Sequence, residues 1–401
     1  MQPRHLYVHV PFCARRCTYC DFAIAVRRVV PVDDYLAALD AELRLRFAAS
    51  TDWALDTLYF GGGTPSRLGG EGIARAIGGI RRIATLASDA EVTIEANPED
   101  VTPAAARAWR DAGVNRVSLG VQSFDDETLR WMHRVHDAAR AERALGELRD
   151  AGIDNVSIDL IFALPDEVTT RSWERDLERA VALAPPHVSL YGLTVEPHTP
   201  LGKSLAVGGV TEAGEERYER DFLLAHEVMT AAGLEHYEVS NFGRAGLHSR
   251  HNSAYWRSVP YAGLGPGAHE LRVDGERMVR RWNDDVYVRW AEALSEGRDP
   301  IGGDEVLTGE NRIAEAVYLG LRSTAGLSVR GEERERLAAW VAAGWGTLHD
   351  DALDDALDDA LDDALDSSRE SAATGLIFRA TALGWLRLDA LAADLTAFRS
   401  R

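Results

Sequence analysis

Several features that would restrict the function are missing from this sequence. No apolar run approaches the roughly 18–20 residues that span a bilayer. The first twelve residues contain an arginine and two prolines, with no hydrophobic signal-peptide core after them. A basic surplus is also absent, since the formal net charge is −20. That balance argues against a general nucleic-acid-binding protein, which would carry a basic face. We therefore expect a cytoplasmic protein with no membrane span and no nucleic-acid partner.

Cysteine is scarce and tightly grouped. The chain has only three cysteines, Cys13, Cys17 and Cys20. An odd number of cysteines without a secretory signal makes a disulfide framework a poor interpretation. A ligand or redox role for these side chains is the better one.

The rest of the composition is that of an ordinary globular protein, with 46% hydrophobic and 27% charged residues in 401 positions. Short β-rich runs alternate with segments of helical apolar spacing, which is typical of βαβ units and a parallel sheet. The predicted strands are residues 5–10, 56–60, 91–95, 116–121, 155–162 and 187–192, and the clearest helices are 32–47, 103–112, 138–151 and 173–183. Six units predict an α/β fold with a partial (β/α)6 barrel. A closed barrel would need two more units.

Three segments follow from this pattern. Residues 1–240 are the predicted barrel, residues 241–310 a loop-rich extension, and residues 311–401 a small winged-helix-like α+β domain. Within the last segment, residues 381–389 predict a turn and a short strand before a final helix. Residues 350–366 contain four Asp-Asp-Ala-Leu repeats and nine of the aspartates. Adjacent like charges and the low helix propensity of Asp favour a solvated insertion over a functional helix.

The cysteines form the pattern C-x3-C-x2-C directly after the first predicted strand. Thiolates are the preferred ligands of iron–sulfur clusters, and three of them on a 4Fe–4S cluster leave one iron with an open coordination position. The amine and carboxylate of S-adenosylmethionine (SAM) could fill that position, and reductive cleavage of its sulfonium would then give a 5′-deoxyadenosyl radical. The alternatives are chance or a zinc site completed by His9, although structural zinc needs a closed shell of four ligands.

Polar residues stand near the carboxyl ends of the predicted strands, where α/β sheets bind ligands. A glycine triplet, 61–63, ends the second strand and Glu95 ends the third. Gln122 ends the fourth strand, Asp159 lies in the fifth, and Arg134 is a candidate partner for the carboxylates. Each could be a structural salt bridge or cap, but together they favour a polar ligand pocket.

These motifs resemble the coproporphyrinogen III oxidase-like branch of the radical SAM superfamily, and within it the HemW-type heme chaperones. The matching stretches are residues 7–13, 19–22, 60–66, 95–98, 118–124, 134–136, 157–161, 237–242, 251–256 and 263–269. The resemblance implies a 4Fe–4S cluster on Cys13, Cys17 and Cys20. It implies SAM contacts at Tyr7, Gly62, Gly63, Thr64, Glu95, Gln122, Arg134 and Asp159. It implies heme contacts at His251, Asn252, Tyr255 and Trp256.

The resemblance also implies partners: heme, respiratory proteins that accept it, and a reductant such as flavodoxin or ferredoxin. His251 and Tyr255 would share one face of a helix, an imidazole can ligate heme iron, and Trp256 could stack on the porphyrin. The alternative is a structural histidine with core aromatic residues. We predict no catalytic residue.

One position separates the chaperones from the oxygen-independent coproporphyrinogen III oxidases that they resemble. The oxidases carry a further cysteine two positions after the third, where this chain has Phe22. Phe22 therefore favours the chaperone. The first alternative is an oxygen-independent coproporphyrinogen III oxidase, and the second is a radical SAM enzyme that acts on another substrate. The chain departs from the family at Ala163 and Asp166, where a Gly-x-Pro-Gly turn is usual, and at Ser249, where a cysteine is common.

Overall fold

The structure, a computed structural model, describes residues 2–48, 52–165, 171–275, 277–350 and 373–400. The chain divides into two compact units. The first comprises Met1–Glu235, Phe242–Ala254 and Val259–Val306, and the second comprises His236–Asn241, Tyr255–Ser258 and Leu307–Arg401. The predicted acidic insertion lies outside the described residues except for Asp350.

Strands and helices alternate through most of the chain. The strands are β1 His5–Val10, β2 Phe12–Cys13, β3 Ala25–Val26, β4 Ala54–Gly62, β5 Thr85–Ala96, β6 Arg116–Gln122, β7 Asn155–Phe162, β8 His187–Gly192, β9 Glu235–Glu238, β10 Asn241–Gly243, β11 Tyr261–Leu264, β12 His269–Asp274, β13 Arg277–Asn283, β14 Ile301–Val306, β15 Leu327–Arg330, β16 Gly346–Asp350 and β17 Ala373–Ala380. The helices are α1 Val32–Phe47, α2 Gly69–Ile80, α3 Pro103–Ala112, α4 Asp126–Trp131, α5 Ala138–Asp150, α6 Trp173–Ala182, α7 Pro200–Ala206, α8 Glu215–Ala231, α9 Arg250–Trp256, α10 Tyr287–Ser295, α11 Gly309–Arg322, α12 Arg334–Ala342, α13 Ala382–Trp385 and α14 Leu388–Arg399.

Six parallel strands form the centre of the first unit, in the order β1-β4-β5-β6-β7-β8. β11 continues the sheet beside β1 in parallel, and β12, β13 and β14 extend that edge as antiparallel strands. β10 flanks β8 at the opposite edge, and the described strands do not close into a barrel. The predicted α/β fold with an open, partial barrel is confirmed. The segment that the sequence predicts as loop-rich supplies several of these edge strands.

The two faces of the parallel strands differ completely in chemistry. One face is apolar and fully covered by helices, with Leu58, Val117, Leu119, Ile158 and Val188 all at 0% exposure. The register places polar side chains side by side on the other face, because alternate residues of a strand point to opposite sides. These neighbours include His5 beside Thr57, Glu95 beside Ser118, Ser118 beside Ser157, and Asp159 beside Ser189. The inner face of the sheet is therefore built to hold polar groups.

Short capping residues begin the helices that cover the apolar face. The side chains of Thr102, Asp125, Asp137 and Ser172 each accept a hydrogen bond from the backbone N–H three residues later. α3 also has a proline at its first position and ends at Gly113, whose φ of +107° suits glycine. These signals explain why the predicted bounds of α3 agree with the structure.

The second unit contains α11–α14 and a three-stranded antiparallel sheet of order β15-β17-β16. Its core includes Trp340, Phe378, Trp385 and Leu395. The strand predicted over residues 381–389 is wrong. Thr381 caps a helix there by accepting a hydrogen bond from the N–H of Gly384, and the strand precedes it as β17. In the described part of the chain, no helix combines the length and the apolar character needed to cross a membrane.

Candidate functional site

The three cysteines lie on the loop that follows β1. Phe12 and Cys13 pair with Ala25 and Val26 of β3, which fastens both sides of this loop to each other. Cys13 is buried, whereas Cys17 and Cys20 are half-buried, and all three thiols are free. The N–H of Cys20 donates to the carbonyl of Cys17 at 3.4 Å. The loop therefore holds three unpaired sulfur ligands within eight residues.

This set of ligands fits an iron–sulfur cluster better than a single ion. Among the residues that the structure describes, no three His, Cys, Asp or Glu side chains converge on one ion position. A 4Fe–4S cluster does not need such convergence, because each thiolate binds a different iron. Burial raises the pKa of Cys13 to about 11, so a bound metal is needed to hold this side chain as a thiolate near neutral pH.

Thr64, Asn97 and Arg134 connect two of the thiols through a chain of hydrogen bonds. Thr64 Oγ1 lies 3.4 Å from Cys13 Sγ and accepts from Asn97 Nδ2 at 3.5 Å. Arg134 Nη2 donates to Asn97 Oδ1 at 2.5 Å, and Arg134 Nη1 lies 3.7 Å from Cys17 Sγ. We call these three residues the Thr64–Asn97–Arg134 chain. Donors beside sulfur ligands tune the reduction potential of a cluster.

The glycine triplet brings backbone close to the cysteine loop. Gly62 has φ +110°, and a Cβ there would lie 2.5 Å from the ring of His9. A Cβ on Gly63 would lie 2.6 Å from the carbonyl oxygen of Pro11 and 3.1 Å from Cys13 Sγ. Only glycine allows these approaches, so the triplet is required by the packing of the site and not merely by a turn.

The Glu95 carboxylate contacts this glycine triplet directly. It accepts hydrogen bonds from the backbone N–H of Gly62 at 3.0 Å and from the hydroxyl of Tyr59 at 2.8 Å. Burial raises the pKa of Glu95 to about 7, against the opposing effect of the Tyr59 hydrogen bond. Glu95 is thus able to accept or donate a hydrogen bond close to neutral pH.

Asp159 is held by serines of its own and neighbouring strands. Ser118 Oγ donates to both of its carboxylate oxygens, at 3.0 and 2.8 Å, and Ser157 Oγ donates to one of them at 3.0 Å. Burial raises the pKa of Asp159, and the serine hydrogen bonds oppose that effect. Both carboxylate oxygens of Asp159 therefore have hydrogen-bond partners within the sheet.

Gln122 and Ala163 occupy left-handed backbone conformations where their strands end. Gln122 has φ +68° and Ala163 has φ +56°. For residues other than glycine this conformation costs roughly 1–2 kcal/mol. Gln122 nevertheless lies in the site, since a Cβ on Gly120 would be 2.9 Å from its Nε2 and 3.2 Å from Arg134 Nη2. Asp166, the other predicted departure in the turn after β7, lies outside the described residues.

Tyr7 and His251 meet in the interior of the first unit. The Tyr7 ring stacks on Tyr59 with 6.1 Å between centroids, and Tyr59 stacks on His251 at 5.0 Å. The Tyr7 hydroxyl lies 3.1 Å from His9 Nδ1. His251 Nδ1 lies 2.6 Å from Thr57 Oγ1, and burial lowers the pKa of His251 well below its usual range. His251 is therefore a neutral imidazole packed against the polar face of the sheet.

The remaining predicted heme residues follow His251 in α9. The Ser249 hydroxyl accepts from the N–H of Asn252 at 3.4 Å, so Ser249 acts as a helix cap. Tyr255 and Trp256 belong to the second unit, where the Arg322 guanidinium lies 4.2 Å from the Trp256 ring centroid. The four predicted heme residues are thus divided between the two units.

Sequence reasoning missed several residues of this site. Tyr59 and the serines 118 and 157 hold the predicted residues in place, but the sequence analysis does not single them out. A signal for them existed, because alternate positions of the predicted strands are polar, as in His5, Tyr7 and His9 of β1. Such alternation inside parallel strands indicates a lined cavity, since a sheet covered on both faces has near-continuous apolar strands.

Comparisons with known proteins agree with this geometry. The family model of the radical SAM superfamily matches residues 7–178. The heme chaperone HemW of Mycobacterium tuberculosis is 38% identical over 358 residues, which are 88% of this chain and 90% of that protein. HemW of Synechocystis is 37% identical over 82% of this chain and 80% of its own length.

A solved structure extends the likeness to the whole fold. The radical SAM enzyme coproporphyrinogen III oxidase (HemN) from Escherichia coli superposes with a TM-score of 0.75, covering 99% of this chain and 91% of its own. At 22% identity this likeness concerns the fold alone. Taken together with the curated relatives, the chain belongs to the HemW family of the radical SAM superfamily.

Proposed function

We propose that this protein is a heme chaperone, which binds heme and delivers it to respiratory hemoproteins. The observation that carries the proposal is its similarity to relatives named heme chaperone HemW, at 34–38% identity in proteins of several bacteria. Phe22, which replaces the additional cysteine of the related oxidases, also supports it.

Membership of the radical SAM superfamily implies a 4Fe–4S cluster and SAM. Cys13, Cys17 and Cys20 would bind three irons and leave the fourth open to the amine and carboxylate of SAM. Bound to these thiolates, a cluster would supply the electron for reductive cleavage of the SAM sulfonium. The chain would position SAM through the backbone of Gly62 and Gly63 and through the side chains of Tyr7, Thr64, Glu95, Gln122, Arg134 and Asp159.

Heme contacts at His251, Asn252, Tyr255 and Trp256 stay a prediction. The contact of His251 Nδ1 with Thr57 limits how this ring could bind iron. Ligation would use the other ring nitrogen, Nε2, or would follow a movement of α9. The roles of segments 1–240, 241–310 and 311–401, the cytoplasmic location, the respiratory recipients and a flavodoxin or ferredoxin reductant are likewise predictions.

One anaerobic experiment tests the proposed function. The reconstituted protein is titrated with heme, with and without SAM, and bound heme is measured by its Soret absorbance. We expect stoichiometric binding that His251→Ala or Trp256→Ala weakens. His187→Ala is the matched control, because His187 is equally buried but lies outside the predicted heme segment.

Two results would overturn the proposal. One is the absence of heme binding by protein that contains its cluster. The other is decarboxylation of coproporphyrinogen III by the same preparation, which would make the protein an oxidase of the kind that its fold resembles.

A further inference from the structure

Four exposed arginines surround the cysteine loop. Arg15 and Arg16 lie between the first two cysteines, and Arg27 and Arg28 follow the short strand β3. We call these four residues the arginine surface. Among the described residues, none of the four side chains forms an ion pair with a carboxylate. Their charge is therefore presented to solvent.

The sign of this surface is unusual for the chain. Residues 14–30 contain four arginines and one acidic residue, Asp21, for a local charge of +3 (4 − 1), whereas the whole protein has a formal net charge of −20. A local charge opposite in sign to the rest of a protein steers partners of complementary charge to that place. The arginine surface thus selects acidic partners that the remaining surface repels.

Exposed apolar side chains accompany the arginines. Phe22 is 63% exposed, Val26 44% and Val29 79%. Protein interfaces typically combine an aromatic or aliphatic anchor with a charged rim. The composition of the segment is that of a contact surface.

The backbone joins this surface directly to the cysteines. Arg16 Nη1 donates to the carbonyl of Cys20 at 3.1 Å, and the N–H of Arg27 donates to the carbonyl of Cys13 at 2.9 Å. Cys17 and Cys20, the more exposed cysteines, lie on the same loop as Arg15 and Arg16. A protein seated here would lie against the loop that carries Cys17 and Cys20, two of the proposed cluster ligands.

From these observations we infer that the arginine surface docks a small acidic electron-carrier protein, which transfers one electron from a reduced flavin or iron–sulfur centre to the cluster. The donor centre is oxidised by one electron and the 4Fe–4S cluster is reduced by one electron. This inference rests on the proposed function only in requiring the cluster. Heme plays no part in it.

A protein partner fits the surface better than an anionic membrane does. Asp21 lies within the segment, and Asp33 and Asp34 begin the adjacent helix α1, where the Asp33 side chain is 84% exposed. A uniformly anionic lipid surface would meet these carboxylates together with the arginines. A folded acidic protein can contact the arginines while the carboxylates of Asp21, Asp33 and Asp34 stay at the edge of the interface.

The test compares two charge-reversal pairs in the holoprotein. Arg15→Glu with Arg28→Glu alters the arginine surface, at side chains for which the described structure shows no hydrogen bond. Arg107→Glu with Arg143→Glu is the matched control, since both arginines are exposed on α3 and α5 and both pairs change the net charge equally. The probe is photoreduced bacterial flavodoxin, and stopped-flow absorbance follows cluster reduction under anaerobic conditions.

We expect the first pair to lower the second-order rate constant at least about tenfold at low ionic strength, with the difference shrinking as salt is added. The control pair should stay within about twofold of wild type. Val29→Ser should weaken flavodoxin binding, measured by fluorescence anisotropy, without changing the salt dependence. Dithionite should reduce the cluster equally in all variants.

Three outcomes would overturn the inference: equal slowing by both pairs, no effect of the first pair, or intact reduction by flavodoxin together with loss of binding to phosphatidylglycerol vesicles. The last would make the arginine surface a membrane contact. Failure to reconstitute any cluster is a distinct outcome, because it removes the proposed function together with the docking partner.

Discussion

The two faces of the same six parallel strands have opposite compositions, and the contrast explains how this fold separates stability from binding. On β6, Val117, Leu119 and Val121 pack under helices with almost no exposure. The alternate residues of β6, Arg116, Ser118 and Gly120, lie on the polar face. They are beside the groups that hold Glu95, Asp159 and Arg134. One residue of displacement along a strand changes the role of a side chain from packing to ligand support.

The polar face is expensive to bury, which is why its members are hydrogen-bonded to one another. Unpaired polar groups in an apolar interior cost about 1–3 kcal/mol each. The serines around Asp159 and the Thr64–Asn97–Arg134 chain offset that cost before any ligand arrives. The fold is consequently stabilised mainly by the apolar face, and the polar face carries the residues that we propose bind SAM.

The largest effect should come from a single cluster ligand. Cys17→Ser removes one of three thiolates, so we expect loss of the full 4Fe–4S cluster, measured as iron content and visible absorbance after anaerobic reconstitution. Unfolding of the cluster-free protein in urea should be unchanged, because Cys17 is only half-buried. A stable full cluster in Cys17→Ser would contradict the assignment of this ligand.

Neighbouring substitutions on β6 compare the two faces directly. Leu119→Ala should lower the free energy of unfolding by about 2–5 kcal/mol, because it opens a cavity under the helices. Ser118→Ala should cost about 1 kcal/mol, since Ser157 still donates to Asp159. Urea denaturation measures both. Equal losses would show that the polar face stabilises the fold as much as the apolar face does.

The sequence predicted the strands well because local signals determine them. The apolar residues of β7 and the caps of α3 and α5 need no knowledge of distant contacts. The Thr64–Asn97–Arg134 chain joins residues 33 and 37 positions apart, and only the register of β4, β5 and β6 brings them together. The strand predicted over residues 381–389 is wrong for a local reason, because Thr381 caps the short helix α13 and does not begin a turn into a strand.

The stacked ring of His251 could not be predicted either. The amphipathic spacing of His251 and Tyr255 predicts a shared helix face, but it does not specify what that face contacts. The structure places His251 against Tyr59 and Thr57 of β4, and the chain division assigns Tyr255 to the other unit. Contacts between segments nearly 200 residues apart depend on the complete topology.

The pH dependence of stability should reveal the cost of the polar face. The pKa of Glu95 in the folded protein, about 7, lies above its ordinary value of 4.5 because of burial. The folded state therefore retains a proton that the unfolded state loses. The stabilisation from this group is complete below about pH 4.5 and is lost as the pH rises through about 7, a difference of about 3 kcal/mol.

Glu95→Gln tests this effect, because an amide does not titrate and the loss of stability between pH 5 and pH 8 should diminish. Urea denaturation of the cluster-free protein at several pH values provides the measurement. Glu99→Gln is the control with the opposite sign. Burial tends to raise the pKa of Glu99, but hydrogen bonding from His136 and the charge of Arg134 outweigh it and lower the pKa. Its stabilisation is instead lost as the pH falls.

The smallest effect should come from one hydroxyl on the polar face. Tyr59 donates to Glu95 and so favours the charged carboxylate. Tyr59→Phe should cost about 1 kcal/mol and should move the pH-dependent loss of stability to higher pH, because the pKa of Glu95 rises further. Tyr7→Phe is the matched control, since the Tyr7 hydroxyl contacts His9. If both variants moved the pH profile equally, the Tyr59 hydrogen bond would not control Glu95, and the polar face would respond to its general environment more than to individual contacts.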